Sequence, residues 1–381
     1  MSGRAGRRRL PGTVVEAPEP GRWHRFVALM DEREPATSLA WVRILVAAVL
    51  MADWIHVGSL GLVQTLWGPS TAGGFGDVDT WEIGPPIHQW LGASAATTWI
   101  TYGLAVTSTL AFGLGLFTRV SGAVLVFASA QLAQILGQSD RGIDIAIRIV
   151  LILLVCSGSG ETLSLDCRRK HGRWTSDTPI PAWPRYLIIV QLCWMYFGAG
   201  IHKTQAAWWP SGDWSALYII LRDPHFARFD FAWIESVYPL TQLGTAGTIA
   251  FELLAPVFGL ALWYRRTADR PGRLRRALNR IRFVEVWLVS AIGFHVALMA
   301  TLQLGIFPYG MLAFYPAFRR PSASRSGSGS ESESESESES ESESESESES
   351  ESESESESES ESSLAAPNSS ELPARDHRDS T

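Results

Sequence analysis

The chain is poor in cysteine and has none of the glycine-rich loops that hold nucleotides. Cys156, Cys167 and Cys193 are its three cysteines, and no CxxC spacing joins them. That pattern supports neither a zinc site nor a thioredoxin-like redox pair, so no metal ligand is assigned. No GxGxxG or GxxxxGK[ST] occurs, which removes the usual signatures of dinucleotide and phosphate binding. No internal repeat is evident, and paired repeats are common in transporter folds. Residues 1–38 contain no apolar core followed by a small-residue cleavage site. A cleaved signal peptide is therefore not expected, and the first apolar stretch would target the chain. The stretch 59–97 has acids but no lysine or arginine.

What is present divides the chain by charge. The net charge of -8 hides two opposite parts. Residues 331–362 are an unbroken Glu-Ser run with 16 glutamates, and 321–381 holds 19 acidic against 3 basic side chains. Residues 1–320 hold 21 acidic against 29 basic side chains. A polyacid of this kind repels itself and has no apolar surface to bury, so disorder is expected for it. The body is strongly hydrophobic, and 16 tryptophans in the chain fit the aromatic belts of a membrane protein.

Apolar windows long enough to cross a bilayer fall at 39–58, 98–117, 120–138, 142–158, 184–202, 243–263 and 283–303, with a shorter one at 304–317 broken by Pro308. The expected fold is all-α: a polytopic integral membrane helical bundle with seven or eight transmembrane helices and a disordered acidic tail. Three parts are expected: a polar basic segment over 1–35, a transmembrane domain over 36–320, and a Ser/Glu-rich tail over 321–381. Basic residues set the orientation. Arg4, Arg7, Arg8 and Arg9, the run CRRKHGR at 167–173, and the run RRTADRPGRLRRALNRIR at 265–282 fall on one side. A multi-pass cell-membrane protein with a cytoplasmic N-terminus follows. The same rule accounts for the 265–282 run without nucleic acid.

Charged side chains inside apolar spans are costly and mark a bundle interior or a watery cavity. Asp144 and Arg148, four apart, are expected to pair on one helix face. Arg43 is expected to snorkel toward the inner surface. Asp53 and His56 lie near an outer end, where water would satisfy them. Glu252 and His295 lie deeper. Each is either bonded to a neighbouring helix or lines a polar pocket, and the residues alone leave both readings open.

Residues 196–209 read YFGAGIHKTQAAWW. Lys203 thus ends an apolar helix just before Trp208 and Trp209. One reading is an interfacial anchor beside a tryptophan belt. The other is a base, because dry surroundings disfavour an ammonium and make a neutral amine accessible.

YFGAGIHKTQAAWWPSGDW (196–214) resembles a segment of the vitamin K-dependent γ-carboxylase family, in which tyrosine and phenylalanine precede a lysine and a tryptophan follows it. LGIFPYGMLAFYPAF (304–318) resembles that family's phenylalanine–proline–tyrosine segment. His295 stands ten residues before Gly305, as a family histidine does before its matching glycine. GLGLFTRVSG (113–122) and GETLSLD (160–166) resemble the bacterial branch, the horizontally transferred transmembrane (HTTM) domain. The resemblance covers about 36–320. It implies a lysine that deprotonates a reduced naphthoquinone of the vitamin K or menaquinol type. Oxygen addition then yields a stronger base, which removes a γ-proton from a substrate glutamate before carbon dioxide is captured. Lys203 and His295 are the catalytic residues so implied, with Glu252, His202, Tyr196 and Tyr309 at the cofactor and the lipid bilayer, quinone and oxygen as partners. A dry pocket is needed, and Gly198, Ala199 and Gly200 are expected to permit the close helix packing that supplies it.

The chain departs from the carboxylases in three places. Its bundle is followed by the acidic tail rather than a large extracytoplasmic region. QSDRGID (138–144) holds no histidine, Asp140 being the nearest counterpart. Leu298 replaces an asparagine three residues after the histidine. These departures weigh against glutamate carboxylation and less against quinol chemistry. Two readings follow: a quinol-dependent, oxygen-using membrane enzyme, or a non-catalytic membrane protein that holds a quinone, lipid or protein in the same cavity.

Overall fold

A computed structural model describes residues 21–76 and 85–319. The expected tail over 321–381 and most of the 1–35 segment lie outside the described residues. The described chain is mostly helical: α1 (Arg22–Met30), α2 (Thr37–Ser59), α3 (Val63–Trp67), α4 (Pro86–Leu91), α5 (Ala95–Leu114), α6 (Thr118–Ile135), α7 (Gly142–Ser157), α8 (Leu165–His171), α9 (Trp183–His202), α10 (Ala216–Arg222), α11 (Tyr238–Leu253), α12 (Ala255–Arg266), α13 (Arg273–Arg280), α14 (Phe283–Thr301) and α15 (Phe307–Ala313). One small antiparallel pair, β1 (Arg33–Pro35) and β2 (Pro179–Pro181), sets Glu34 opposite Ile180.

The apolar windows became helices because a continuous apolar run can satisfy its backbone away from water only within itself. Among the described residues, α2 and α14 are long and apolar enough to cross a membrane. Ala232–Leu253 and Ala255–Arg266 make a third candidate, bent by 52°. The expected seven or eight crossings are therefore not reached by length and hydropathy alone. The reason is visible in α5 and α7. α5 carries threonines that turn back on their own helix, with Thr101, Thr107 and Thr109 each donating to the carbonyl four residues earlier at 2.7–2.8 Å. Such hydroxyls are satisfied locally yet lower the hydropathy. α7 has only 16 residues.

Two ends of the bundle can be told apart by their bonds. At one end α2 and α9 begin. There Arg185 grips both oxygens of Glu34 at 2.7 Å and donates to the Ala317 carbonyl at 3.1 Å. Ser38 donates to the Arg319 carbonyl at 2.8 Å. Arg266, at the end of α12, reaches Glu32 and Tyr186 at that same end. At the other end α7 begins, and a side chain at Gly305 would come within 3.4 Å of Arg141. The segment from Gly305 to Arg319 thus runs the depth of the bundle, although α15 itself has only seven residues.

Arg43 does not snorkel. It is fully buried and donates to the carbonyls of Ser159, at 2.6 Å, and Leu163. It clasps the GETLSLD turn, and the two family stretches meet there. Asp166 accepts from the Phe117 and Thr118 amides at 2.9 and 2.7 Å and from the Thr118 hydroxyl at 2.8 Å. The Asp166 amide returns a bond to the Gly115 carbonyl at 2.9 Å. Asp166 lies in the connection between α7 and α9. Burial alone would raise its carboxyl, but the bonds from Thr118 and Phe117 and the charge of Arg169 outweigh it, leaving Asp166 below the ordinary aspartate range. A depressed carboxyl adds stability above its unfolded pKa, and that stability is lost as pH falls through the folded one. Asp166→Asn should therefore be less stable than wild type at pH 7, with the gap closing below about pH 4. Thermal unfolding in detergent at both pH values checks this, and a constant gap would refute it.

The expected Asp144–Arg148 pair does not form. Asp144 closes the first turn of α7 by accepting from the Arg141 amide at 2.9 Å and its guanidinium at 2.8 and 3.0 Å. Arg148 instead grips both oxygens of Asp140 at 2.9 and 2.5 Å. Asp53, expected to face water, is held by Arg141 at 2.6 Å. Tertiary partners and a capping role outweighed the local spacing.

Candidate functional site

α9 carries Tyr196 and Gly200 and is ended by Lys203. The spacing i, i+4, i+7 places the three on one stripe, about 10 Å long at 1.5 Å per residue. That stripe faces the bend between α11 and α12. Gly200 permits the contact: a methyl there would come within 3.0 Å of the Leu253 side chain and 3.2 Å of Glu252 Cβ. Gly198 has open space around it, so close packing rests on Gly200 rather than on the whole small-residue run.

At the end of the stripe, Lys203 Nζ sits between both carboxylate oxygens of Glu252, at 2.7 and 2.6 Å. The side chains are 18% and 6% exposed, so solvent screens the pair little. The tryptophans hold this lysine in place. The amine lies 4.8 Å from the centre of the Trp208 ring, and the Trp209 indole donates to the Lys203 carbonyl at 2.6 Å. Lys203 is thus not the isolated dry amine expected from its helix. To act as a base it must first hand its proton to Glu252, which is already in contact.

One helix face further in, three groups form a row. Tyr315 and Tyr196 hydroxyls lie 2.6 Å apart, and the Tyr196 hydroxyl lies 2.7 Å from His295 Nε2. Phe251 and Trp287 pack edge-on against the Tyr196 ring at 5.1 and 5.3 Å. His295 is fully buried, and its Nδ1 has no partner. If Tyr196 donates to Nε2, Nδ1 carries a proton with no acceptor; in the other tautomer it is an unused acceptor. Either way the ring keeps one polar atom for a bound group. The row and the ion pair share α9, and Phe251, which packs on Tyr196, is adjacent to Glu252 on α11.

Four of the six expected residues are thus gathered: Lys203, Glu252, Tyr196 and His295. His202 is exposed, with its Nδ1 2.8 Å from the Gly198 carbonyl, and points away from the stripe. Tyr309 is 44% exposed on α15, and the bonds of the row run through Tyr196, Tyr315 and His295 instead. Tyr315, six residues on, takes the place that sequence reasoning gave to Tyr309. Tyr315 lies within the same 304–318 stretch, and nothing in its local pattern marks it over Tyr309. A stronger sequence signal for position 203 was composition: Lys203 is one of two lysines among the chain's 32 lysines and arginines. Where arginine serves nearly every other cationic position, a lysine suggests a role needing a proton that can leave.

A cavity of about 150 Å³ lies elsewhere, between α2, α6 and α7. Trp54, Trp67 and Leu132 form part of its apolar wall, and Asp53, Asp140 and Arg141 part of its polar one. It contains the position where the resemblance has a histidine, here Asp140 in its pair with Arg148.

A family model, the HTTM domain, matches residues 32–322. No curated protein and no solved structure matches the chain. The stretches that carry the resemblance meet in pairs: 113–122 with 160–166 at the Gly115–Asp166 junction, and 196–214 with 304–318 through Tyr196 and Tyr315. With the family shown over most of its length and apolar helices of spanning length, the chain is a membrane protein that belongs to the HTTM domain family.

Proposed function

We propose that the bundle is a quinol-dependent, oxygen-using membrane enzyme in which Lys203 is the general base. The observation that carries this reading is the contact of Lys203 Nζ with both oxygens of Glu252. Glu252 receives the lysine's proton, which leaves a neutral amine to take a proton from a substrate. Low exposure of both side chains keeps water from competing. A reduced naphthoquinone fits the donor set, because a phenolic hydroxyl both donates and accepts and His295 Nδ1 is buried without a partner. His295, Tyr196 and Glu252 would hold it. When bound, such a quinol supplies the electrons that reduce oxygen. Tyr315 and Tyr196 orient the His295 ring through the row of bonds to Nε2. Bonds to Arg148 and Arg141 occupy Asp140 and Asp53, so neither stands ready as a second base.

The same reading places 36–320 in the bilayer with seven or eight crossings and a cytoplasmic N-terminus. Helices at every apolar window support the count. The bond from Ser38 to the Arg319 carbonyl supports the even number, because it returns the chain to the end where α2 starts. The arginines at 265–282 lie at that end and support its cytoplasmic side.

Oxygen uptake by the purified protein given a reduced naphthoquinone, with the quinone epoxide assayed in parallel, tests the proposal. Uptake with epoxide is the expected result. Quinone binding without uptake would favour the second reading, a non-catalytic quinone- or lipid-binding protein. One observation leans that way: the 150 Å³ cavity opens beside Arg141 and Asp140 rather than at Lys203.

A further inference from the structure

The helix α13 joins α12 to α14 and is pinned from one side. Leu278 is buried in the main core. Asn279 donates to the Tyr264 carbonyl at 3.3 Å, and the Arg275 guanidinium stacks 4.9 Å from the centre of the Tyr264 ring. The rest of the helix is outward-facing. Arg273, Arg276 and Arg280 are exposed, as is Arg282 just beyond them. No acid pairs with any of these four among the described residues, whereas neighbouring Arg265 pairs with Glu285 at 2.9 Å and Arg266 with Glu32.

The apolar residues are arranged as a stripe. At about 100° per residue, Leu274, Leu278 and Ile281 fall within about 60° of one another, and the three helical arginines cluster on the opposite half. Leu278, at one edge of the stripe, packs against the bundle. Leu274, between the other two, and Ile281, at the far edge, remain 54% and 58% exposed. Ile281 stands two residues before α14, one of the helices long and apolar enough to cross a membrane. With α14 crossing a bilayer from Phe283, the stripe would meet the start of the hydrocarbon and the arginines would face the headgroups.

The geometry points to α13 as an in-plane helix that binds anionic phospholipid: Leu274 and Ile281 enter the edge of the hydrocarbon, and Arg273, Arg276 and Arg280 take the headgroup phosphates. A helix with one basic and one apolar face, held at the mouth of a spanning helix, has the features of an interfacial element. Nucleic acid would meet the same arginines but has no use for the two exposed apolar side chains.

The test is native mass spectrometry of the full chain in detergent, titrated with phosphatidylglycerol and with phosphatidylcholine of the same acyl chains. Wild type should retain phosphatidylglycerol in preference. Each arginine near an anionic surface is worth roughly fivefold, so R273Q/R276Q/R280Q should lose roughly 100-fold in that preference. R273K/R276K/R280K keeps the charges and should keep the preference, which separates charge from misfolding. Leu274→Ser with Ile281→Ser should weaken binding of both lipids. Equal binding of the two lipids by wild type, or a preference unchanged in the glutamine variant, would overturn the assignment. Tighter binding of a short RNA than of phosphatidylglycerol would overturn it as well.

Discussion

Lys203→Ala should lower quinol-driven oxygen uptake by at least about 100-fold, the low end of what a positioned general base contributes. The loss by itself has two explanations. Removing the lysine leaves Glu252, 6% exposed, with no cation beside it. Breaking a buried pair from one side costs about 3–5 kcal/mol, so the variant is also expected to be less stable. Two further variants separate the explanations. Lys203→Ala combined with Glu252→Gln removes both charges; it should recover most of the stability and stay inactive. Lys203→Arg keeps the cation against Glu252 and should fold, yet a guanidinium does not give up its proton in a protein. Arginine at 203 should therefore also be inactive. Oxygen uptake and thermal unfolding measured on the same four preparations decide the matter. Wild-type uptake in Lys203→Arg would sink the base reading while leaving an anchoring role intact.

The elements of this fold were readable because hydropathy needs no partner. The windows at 39–58 and 283–303 became α2 and α14 almost residue for residue, since a long apolar run has one good way to satisfy its backbone. Partners were harder. The i, i+4 rule joined Asp144 to Arg148, but it weighs only one helix. In the fold Asp144 closes the turn with Arg141, which also reaches Asp53, 88 positions away. Arg43 looked like a snorkelling residue because its distance from the span's end was known and the 159–163 carbonyls facing it were not. The site shows the same division. Lys203 stood out by type and position, and Glu252 and His295 stood out as charges and rings in apolar surroundings. That Glu252 belongs to Lys203 depends on the bend after Leu253, and no periodicity in the sequence foretells it. For a like reason Tyr315 does not stand out: among the described residues its hydroxyl bonds to another tyrosine hydroxyl 119 positions earlier.

Gly115→Ala should be the most damaging single-methyl change at the end where α5 meets α6. Gly115 has φ of +68°, a conformation that costs an L-residue about 1–2 kcal/mol. A methyl there would also lie 2.2 Å from Ser164 Cβ, 2.9 Å from Ser164 Cα and 3.1 Å from the Arg43 guanidinium. These neighbours cannot swing aside cheaply. Ser164 caps α8 by accepting from the Cys167 amide at 2.8 Å, and Arg43 is fully buried. Overpacking of this kind costs about 1–3 kcal/mol more. Gly61 supplies the control, because it has the same φ of +68° and nothing within 4 Å of the added methyl. Gly61→Ala should therefore cost about 1–2 kcal/mol and Gly115→Ala about 2–5 kcal/mol. Unfolding of both variants by sodium dodecyl sulfate in mixed micelles compares them directly. If the two midpoints coincide, the Gly115–Ser164 contact carries no stability, and the meeting of the two family stretches serves something other than holding the bundle together. If Gly115→Ala falls well below Gly61→Ala, the glycine is required by the atoms packed on it. Those atoms belong to the same turn that Arg43 and Asp166 hold from either side, so the three residues form one structural unit at the end of the bundle away from Lys203.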